Sequence, residues 1–274
     1  AVNGFFAGRG ASWTVLLVNA FGTAVNAALA YPLIALRRDD PAAAMAGAGY
    51  AAAAGGVASA ALGFALMLRP RFRAEFHTLA GWRFDPALFA RLMRFGLPNG
   101  LQWCIEVSSF TAFILIVGNM GNAEMAASTV TFTLNMLTFL PVMGVGQGVE
   151  VLVGRRQGES RPDLSAKTVW SGGVLATGYM AAVAAVYCLL PETLTAPFRA
   201  EMAPADWAAV GPLVPLLLRF VAAYSLADGV NIVMSYALRG AGDTRFVSLV
   251  AIGLSWPLMV FPTWLASREV WGRE

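Results

Sequence analysis

The sequence predicts an all-α protein that crosses a membrane about seven times. Of its 274 residues, 58% are hydrophobic and 13% are charged, and the mean hydropathy is +0.63. A soluble domain carries roughly 25% charged residues, so a chain this apolar cannot cover itself with polar surface in water. Seven runs also reach the ~20 mostly apolar residues that a spanning helix needs.

The seven predicted spanning helices are distributed along the whole chain. They cover residues 12–36, 44–68, 96–118, 123–153, 168–190, 208–237 and 246–266. The windows 123–153 and 208–237 exceed the thickness of a bilayer, so we expect these helices to tilt, bend or extend into water. In the second helix, the small residues of 51–56 predict a face that packs closely against a neighbouring helix.

The composition argues against several other classes of protein. The net charge is only +3, and the basic residues are spread over loops, so the clustered basic face of a nucleic-acid-binding protein is not expected. Cys104 and Cys188 lie in apolar runs, and His77 is the single histidine. No disulfide framework, metal cluster or Ser/His/Asp set follows from these residues. We therefore expect neither an enzyme nor a resident cofactor.

The arginines predict the orientation. Most of the 19 basic residues fall on the side that holds the loop 69–95. The other side holds Arg37, Arg38, Arg199, Arg268 and Arg273. By the positive-inside rule the loop 69–95 is cytoplasmic, and the protein is a multi-pass protein of an inner, plasma-type membrane.

The segment 69–95 is also the longest polar stretch. It separates two helices from five, so we expect it to connect two lobes, formed by residues 1–68 and 96–274. Trp82, Phe84 and Phe89 indicate that part of this linker is an amphipathic helix on the membrane surface. The Gly-rich turns at 8–12 and 240–244 form a faint internal repeat, as in transporters built from repeated halves.

Two carboxylates, Glu106 and Asp228, lie deep inside predicted spanning helices. An ionisable side chain in the bilayer core costs about 3 kcal/mol or more and usually marks a functional site. Glu106 lies 12 residues beyond Arg94, and Asp228 lies 11 residues before Arg239. At 1.5 Å per residue, both carboxylates are ~17 Å from the cytoplasmic boundary, near the midplane.

Both carboxylates belong to polar stripes at helical spacing. The stripes are formed by Asn99, Gln102, Glu106 and Ser109, by Thr131 and Asn135, and by Tyr224, Asp228, Asn231 and Ser235. Three polar stripes predict a water-accessible cavity, with a cation or proton site at the two carboxylates. The alternative is that each carboxylate only forms a hydrogen bond to a neighbouring helix.

Two further charged residues have local interpretations. We expect Arg219 to extend toward the outer surface rather than to pair with Asp228. We expect Glu150, near the cytoplasmic end of its helix, to form an ion pair with Arg155 or Arg156.

Several segments resemble the multidrug and toxic compound extrusion (MATE) family of antiporters. They are residues 4–10, 26–34, 95–102, 147–156, 228–230 and 237–245. The resemblance implies twelve helices in two six-helix lobes, of which this chain holds helices five to eleven. Residues 1–68 would then be the remainder of the N-terminal lobe, and the chain would be a fragment. Ala30, where the family often has Asp, and Glu150, where it often has a small polar residue, depart from the pattern.

The resemblance also implies an activity. In one bacterial branch of the family, a Glu in helix seven and an Asp in helix ten form a cation site, and Glu106 and Asp228 match these positions. The protein is then expected to be a Na⁺- or H⁺-coupled antiporter that exports amphiphilic or cationic drugs, with Na⁺, if it is the coupling ion, bound at these two residues. We also expect a monomer when the protein is full length.

Three other functions stay open at this point. A lipid-linked oligosaccharide flippase of related architecture would need arginines in its cavity to bind anionic headgroups. A channel or membrane scaffold would not need paired carboxylates at the midplane. An intramembrane enzyme that uses Glu106 and Asp228 as an acid–base pair has no other support in the sequence.

Overall fold

The fold is known from a computed structural model, which describes residues 2–35, 40–76 and 84–271. The helices are α1 (Val2–Gly8), α2 (Ser12–Ala35), α3 (Pro41–Met67), α4 (Pro70–Phe76), α5 (Pro86–Met120), α6 (Asn122–Gly158), α7 (Pro162–Leu189), α8 (Pro191–Glu201), α9 (Pro204–Val210), α10 (Leu213–Gly240), α11 (Thr244–Ser255) and α12 (Phe261–Trp271). A π-helical turn, Trp256–Val260, joins α11 to α12.

Seven of the described helical stretches are long and apolar enough to cross a membrane, which confirms the predicted number. They are α2, α3, α5, α6, α7, α10 and the continuous stretch Thr244–Arg268. The fold is therefore all-α in the described part of the chain, as the hydropathy predicts.

The start of α5 differs from the prediction. The sequence predicts a helix from residue 96, whereas α5 begins at Pro86. The Asp85 carboxylate accepts hydrogen bonds from the backbone N–H groups of Ala87, at 2.8 Å, and Leu88, at 3.2 Å. This cap, together with Pro86 in the first turn, favours an early start that a hydropathy window does not detect.

The polar segment 69–95 thus includes two pieces of helix. Residues 70–76 form α4, and residues 86–95 form the first turns of α5. Residues 77–83, which include Trp82, lie outside the described residues, as do Arg37 and Arg38. The lobe boundaries proposed from the sequence stay a prediction.

The chain forms two compact units, Ala1–Phe89 and Ala90–Glu274. In the first unit, α2 packs against α3 through small residues. A Cβ atom on Gly55 would lie 2.7 Å from the backbone oxygen of Gly22, and the Ser59 hydroxyl donates to the Val18 carbonyl at 3.1 Å. The close-packing face predicted at 51–56 is therefore correct, with Ala51 fully buried.

In the second unit, α6, α7 and α10 pack on one another around two apolar clusters. One cluster is centred on Leu218 and Tyr187, and the other on Val233 and Met180. The helices approach closely at Gly240, where an added Cβ would collide with the backbone carbonyl oxygen of Glu150. This core fixes α10, and with it the position of Asp228.

The two turns of the faint repeat have the same backbone geometry. Gly10 and Gly242 both adopt a positive φ, of 74° and 91°. The residue after each glycine donates a hydrogen bond five residues back, from Ala11 to Phe6 and from Asp243 to Leu238. A positive φ with this bonding ends a helix with little strain only at glycine, so the Gly-rich composition follows from the turn.

Candidate functional site

The second unit contains a cavity of about 1080 Å³ into which both predicted carboxylates open. Glu106 reaches it from α5, and Asp228 reaches it from α10. Both side chains are half-buried. The remaining walls come from α6, α11 and the π-helical turn, so the cavity lies among helices that are far apart in sequence.

Seven of the ten residues predicted for the site line this cavity. They are Gln102, Glu106, Thr131, Tyr224, Asp228, Asn231 and Ser235. The other three do not: Asn99, Ser109 and Asn135. All four residues of the predicted α10 stripe line the cavity, whereas only Gln102 and Glu106 of the predicted α5 stripe do.

The three exceptions have other surroundings. The Ser109 hydroxyl is 1% exposed and donates to the Ile105 carbonyl of its own helix at 2.8 Å. The Asn135 amide donates to the hydroxyl of Tyr224, which lines the cavity, at 3.2 Å. The Asn99 carbonyl oxygen is buried and has no hydrogen-bond partner among the described residues.

Glu106 is held by Gln102, one helical turn earlier on α5. The Gln102 side-chain N–H donates to the Glu106 carboxylate at 2.8 Å. The carbonyl oxygen of the same amide accepts from the Ser248 hydroxyl at 3.2 Å and from the Arg239 guanidinium at 3.3 Å. Two elements other than α5 thus fix the Gln102 amide, so that its N–H is directed at Glu106.

Asp228 has polar neighbours on its own helix. Asn231 lies three residues further along α10 and Tyr224 one turn earlier, both on the same cavity wall. Asn135 extends this group to α6 through the Tyr224 hydroxyl. Each carboxylate is therefore supported by neutral amide and hydroxyl groups, which can donate to an ionised carboxylate or offer oxygen atoms to a bound cation.

The chemistry of the lining suits a small hard cation more than a transition metal. Among the described residues, no group of three or more His, Cys, Asp or Glu side chains is placed to hold a metal ion. Hard cations bind oxygen ligands, and the cavity offers two carboxylates with the Asn231 amide and the Thr131 hydroxyl. The Gln102 carbonyl oxygen is already engaged by Ser248 and Arg239.

The rest of the lining is apolar and aromatic. Phe113, Phe132 and Phe220 line the cavity together with Met234 and Met259. The rings of Phe113 and Phe132 lie edge to face, with centroids 5.7 Å apart. Such walls suit a ligand with a flat apolar body, while the carboxylates suit a positive charge on it.

Two contributors to the site, Ser248 and the Arg239 contact with Gln102, are not indicated by the polar stripes. The spacing of Ser248 could have indicated its position. It lies seven residues before the cavity residue Ser255, so both serines are on one face of α11. Arg239 lies in the last turn of α10, and its contact with Gln102 depends on where the tertiary structure places α10 relative to α5.

The expected ion pair of Glu150 with Arg155 or Arg156 is wrong. Both arginines instead pair with Glu159, at 3.0 Å from Arg155 Nε and 2.7 Å from Arg156 Nη1. Glu150 faces α10, where Arg239 is its positively charged neighbour. The two arginines are i−4 and i−3 to Glu159 and reach it more easily on the helix surface. Arg219 is exposed, and its extension toward the outer surface stays a prediction.

The sequence matches a known protein family. The MatE family model matches residues 98–265. A probable multidrug resistance protein NorM from Brucella suis biovar 1 (strain 1330) is 32% identical over 254 residues, which cover 92% of this chain and 54% of that protein. The NorM protein of Rhizobium meliloti (strain 1021) is 26% identical over 95% of this chain and 56% of its own length.

Solved structures agree on the fold. An outward-facing multidrug resistance MATE family transporter of the MOP superfamily aligns with a TM-score of 0.79 at 18% identity, over 98% of this chain and 60% of that one. A MATE crystal structure in a bent conformation aligns at 0.76, over 92% of this chain and 53% of that one. The chain spans about half the length of the curated relatives described above.

Proposed function

The chain belongs to the MatE family of transporters, and from this premise we propose that the protein is a cation-coupled antiporter. It would export amphiphilic or cationic drugs and toxic compounds in exchange for Na⁺ or H⁺. Glu106 and Asp228 would form the cation site. The NorM relatives are multidrug resistance proteins, which supports the substrate class.

One observation carries this proposal: two carboxylates from different spanning helices open into a single cavity of about 1080 Å³. Drug-sized ligands occupy sites of roughly 300–1,000 Å³ that are mostly apolar with a few polar groups. The aromatic walls and the acidic pair thus suit an apolar cation, and the same pair suits Na⁺ or a proton.

The two ligands can be coupled without touching each other. Coupling requires only that the cation and the drug stabilise different conformations of the transporter. A cation at Glu106 and Asp228 would neutralise the charge that attracts a cationic drug and would favour the state that releases it. Gln102 would act as a positioning residue, because its N–H is directed at Glu106.

The flippase alternative has less support. A cavity that binds anionic headgroups needs positive charge, but no lysine or arginine is among the described residues that line this cavity. Arg239 does not line the cavity but contacts Gln102, which does, and Arg219 is exposed.

The proposal is tested by transport in the full-length protein. Proteoliposomes would be loaded with ethidium, and efflux would be driven by a Na⁺ gradient alone or by a pH gradient alone. Glu106→Gln and Asp228→Asn are each expected to abolish gradient-driven efflux while the protein still folds. The controls are Glu124→Gln and Asp206→Asn, which neutralise exposed acids outside the cavity. Near-normal, gradient-dependent efflux in both cavity variants would overturn the assignment of the site.

A further inference from the structure

A second, smaller concavity lies on the outside of the same unit, between α6 and α7. It is an open groove of about 460 Å³. Its polar residues, Arg156, Lys167, Thr168 and Ser171, lie toward the ends of the two helices that meet in the turn after Gly158. Its apolar residues continue along both helices away from that turn.

Glu159 and Asp163, the acidic residues in the turn beside this groove, are already engaged by arginines. Glu159 accepts from both Arg155 and Arg156, and Asp163 lies 3.5 Å from Arg161. One carboxylate shared between two guanidinium groups leaves one positive charge uncompensated. Lys167 forms no ion pair with any residue in the described part of the chain.

The groove therefore has a net positive end with hydrogen-bond donors. Arg156 uses Nη1 for Glu159, which leaves its other N–H groups to donate. Lys167 and the exposed Ser171 also line this end. Thr168 adds no donor, because its hydroxyl donates to the Leu164 carbonyl at 2.9 Å. Positively charged donors from two helices suit a phosphate group.

Beyond its charged end the groove is apolar and has room for an acyl chain. A Cβ added to Gly148 would meet no atom within 4 Å, so the glycine leaves open space. Leu152 and Leu175 beside it are 44% and 61% exposed. Trp170, 75% exposed on α7 near its polar end, is the kind of residue that lies at a membrane interface.

The position of the charged end fits the depth of lipid headgroups. Arg156 lies in the last turn of α6, and Lys167 lies five residues beyond the first residue of α7. That is about 7.5 Å along the helix, a distance that a lysine side chain covers when it extends to the interface. Basic pockets between spanning helices on the cytoplasmic side bind anionic headgroups.

From these features we propose that the α6–α7 groove is a binding site for an anionic phospholipid. The phosphate lies between Arg156 and Lys167, and one acyl chain runs along the open surface at Gly148. A free phosphate ion would use the cations but not the apolar wall, so the groove is assigned to a lipid. The site is separate from the acidic cavity and does not depend on the transport activity.

The test measures lipid binding to the purified full-length protein by native mass spectrometry. The probes are phosphatidylglycerol, phosphatidylcholine of the same acyl chains, and inorganic phosphate as a competitor. Arg156→Gln and Lys167→Gln remove one groove charge each. Arg161→Gln removes an equal charge from the same end of the unit but outside the groove, and it is the matched control.

A second pair of variants distinguishes lipid binding in the groove from attraction to surface charge. Gly148→Leu fills the open wall without a change in charge, and Gly144→Leu adds the same side chain at another open glycine outside the groove. Thermal unfolding of each variant shows that it folds, so that a loss of binding is not a loss of structure.

The expected result is specific to the groove. Phosphatidylglycerol affinity should fall at least tenfold in Arg156→Gln, Lys167→Gln and Gly148→Leu, and less than twofold in Arg161→Gln and Gly144→Leu. Phosphatidylcholine should bind weakly throughout, and millimolar inorganic phosphate should not displace the lipid. An equal loss in Arg161→Gln, unchanged binding in Gly148→Leu, or displacement by free phosphate would overturn the proposal.

Discussion

The side-chain amide of Gln102 links Arg239 to Glu106. Its N–H donates to the Glu106 carboxylate at 2.8 Å, and its carbonyl oxygen accepts from the Arg239 guanidinium at 3.3 Å. The Arg239 guanidinium, at the end of α10, thus orients the Gln102 amide, which in turn donates to the Glu106 carboxylate on α5. Gln102 is 5% exposed, so water is largely excluded from this link.

Gln102→Leu should weaken a Na⁺ site at Glu106, because the carboxylate loses the group that positions it. A hydrogen bond to a charged group contributes about 1.5–3 kcal/mol, so we expect roughly tenfold or greater loss of Na⁺ affinity if Glu106 binds Na⁺. The measurement is the cation concentration that gives half-maximal efflux. Gln147→Leu, at an exposed position on α6, is the matched control. Equal affinities in the two variants would show that Gln102 does not position Glu106.

Glu106→Gln and Asp228→Asn should be non-additive. Residues that act as one site lose most of their function in either single variant, so the double variant should be little worse. The comparison uses cation-dependent drug release in the two single variants and the double variant. If the fold-loss of activity in the double variant equals the product of the two single-variant losses, the carboxylates bind separate ions.

The α6–α7 turn should face the cytoplasm. In a background without Cys104 and Cys188, a membrane-impermeant thiol reagent should not label Gln157→Cys in intact cells but should label it in inverted vesicles. Glu201→Cys, at the end of α8, should show the opposite pattern. The expectation follows from the arginine distribution. Labelling of Gln157→Cys from outside would reverse the topology.

Gly240→Ala should destabilise the second unit. An added Cβ would collide with the backbone carbonyl oxygen of Glu150, and a backbone atom cannot move aside as a flexible side chain can. Overpacking of this kind costs about 1–3 kcal/mol. The apparent Tm in detergent should fall, whereas Gly173→Ala, where an added Cβ meets nothing within 4 Å, should leave it unchanged or slightly raised.

The last turn of α6 should be sensitive to pH through Glu159. Hydrogen bonds from Arg156 and then Arg155 hold the pKa of the Glu159 carboxyl below its ordinary value. A carboxyl whose pKa is lowered by folding stabilises the folded state above its unfolded-state pKa, and this contribution is lost as the pH falls through the folded-state pKa. The effect is small because the group is exposed to solvent.

Hydrogen exchange of residues 153–160 measures this effect, after correction for the intrinsic pH dependence of exchange. Opening should become more frequent as the pH falls below the ordinary carboxyl range, and Glu159→Gln should open readily at every pH. Asp163→Asn, which removes the longer pair with Arg161, should change the profile less. A wild-type profile that stays flat with pH would contradict the prediction.

Much of the candidate site follows from local sequence. A carboxylate in a long apolar run is rare whatever surrounds it, so Glu106 and Asp228 are visible without a structure. Tyr224, Asp228, Asn231 and Ser235 repeat at the period of a straight helix, and all four line the cavity. The number of spanning helices likewise depends only on the length and polarity of each run.

Other features depend on how the helices pack. Ser109 shares a predicted stripe with Glu106 but is buried against its own backbone, and Ser248 supports Gln102 from α11. Glu150 lies beside α10 rather than pairing with the nearby arginines, because Gly240 lets the two helices approach closely.

The sequence by itself determined that this chain has seven spanning helices and two carboxylates within them. Both properties come from the free energy of moving each segment and each charge from water into an apolar medium, which depends on local composition. Only the tertiary structure decided that Glu106 and Asp228 share one cavity and that Arg239 reaches Gln102. Those contacts join α5 to α10, which are far apart in the chain, so the pattern of either helix alone does not specify them.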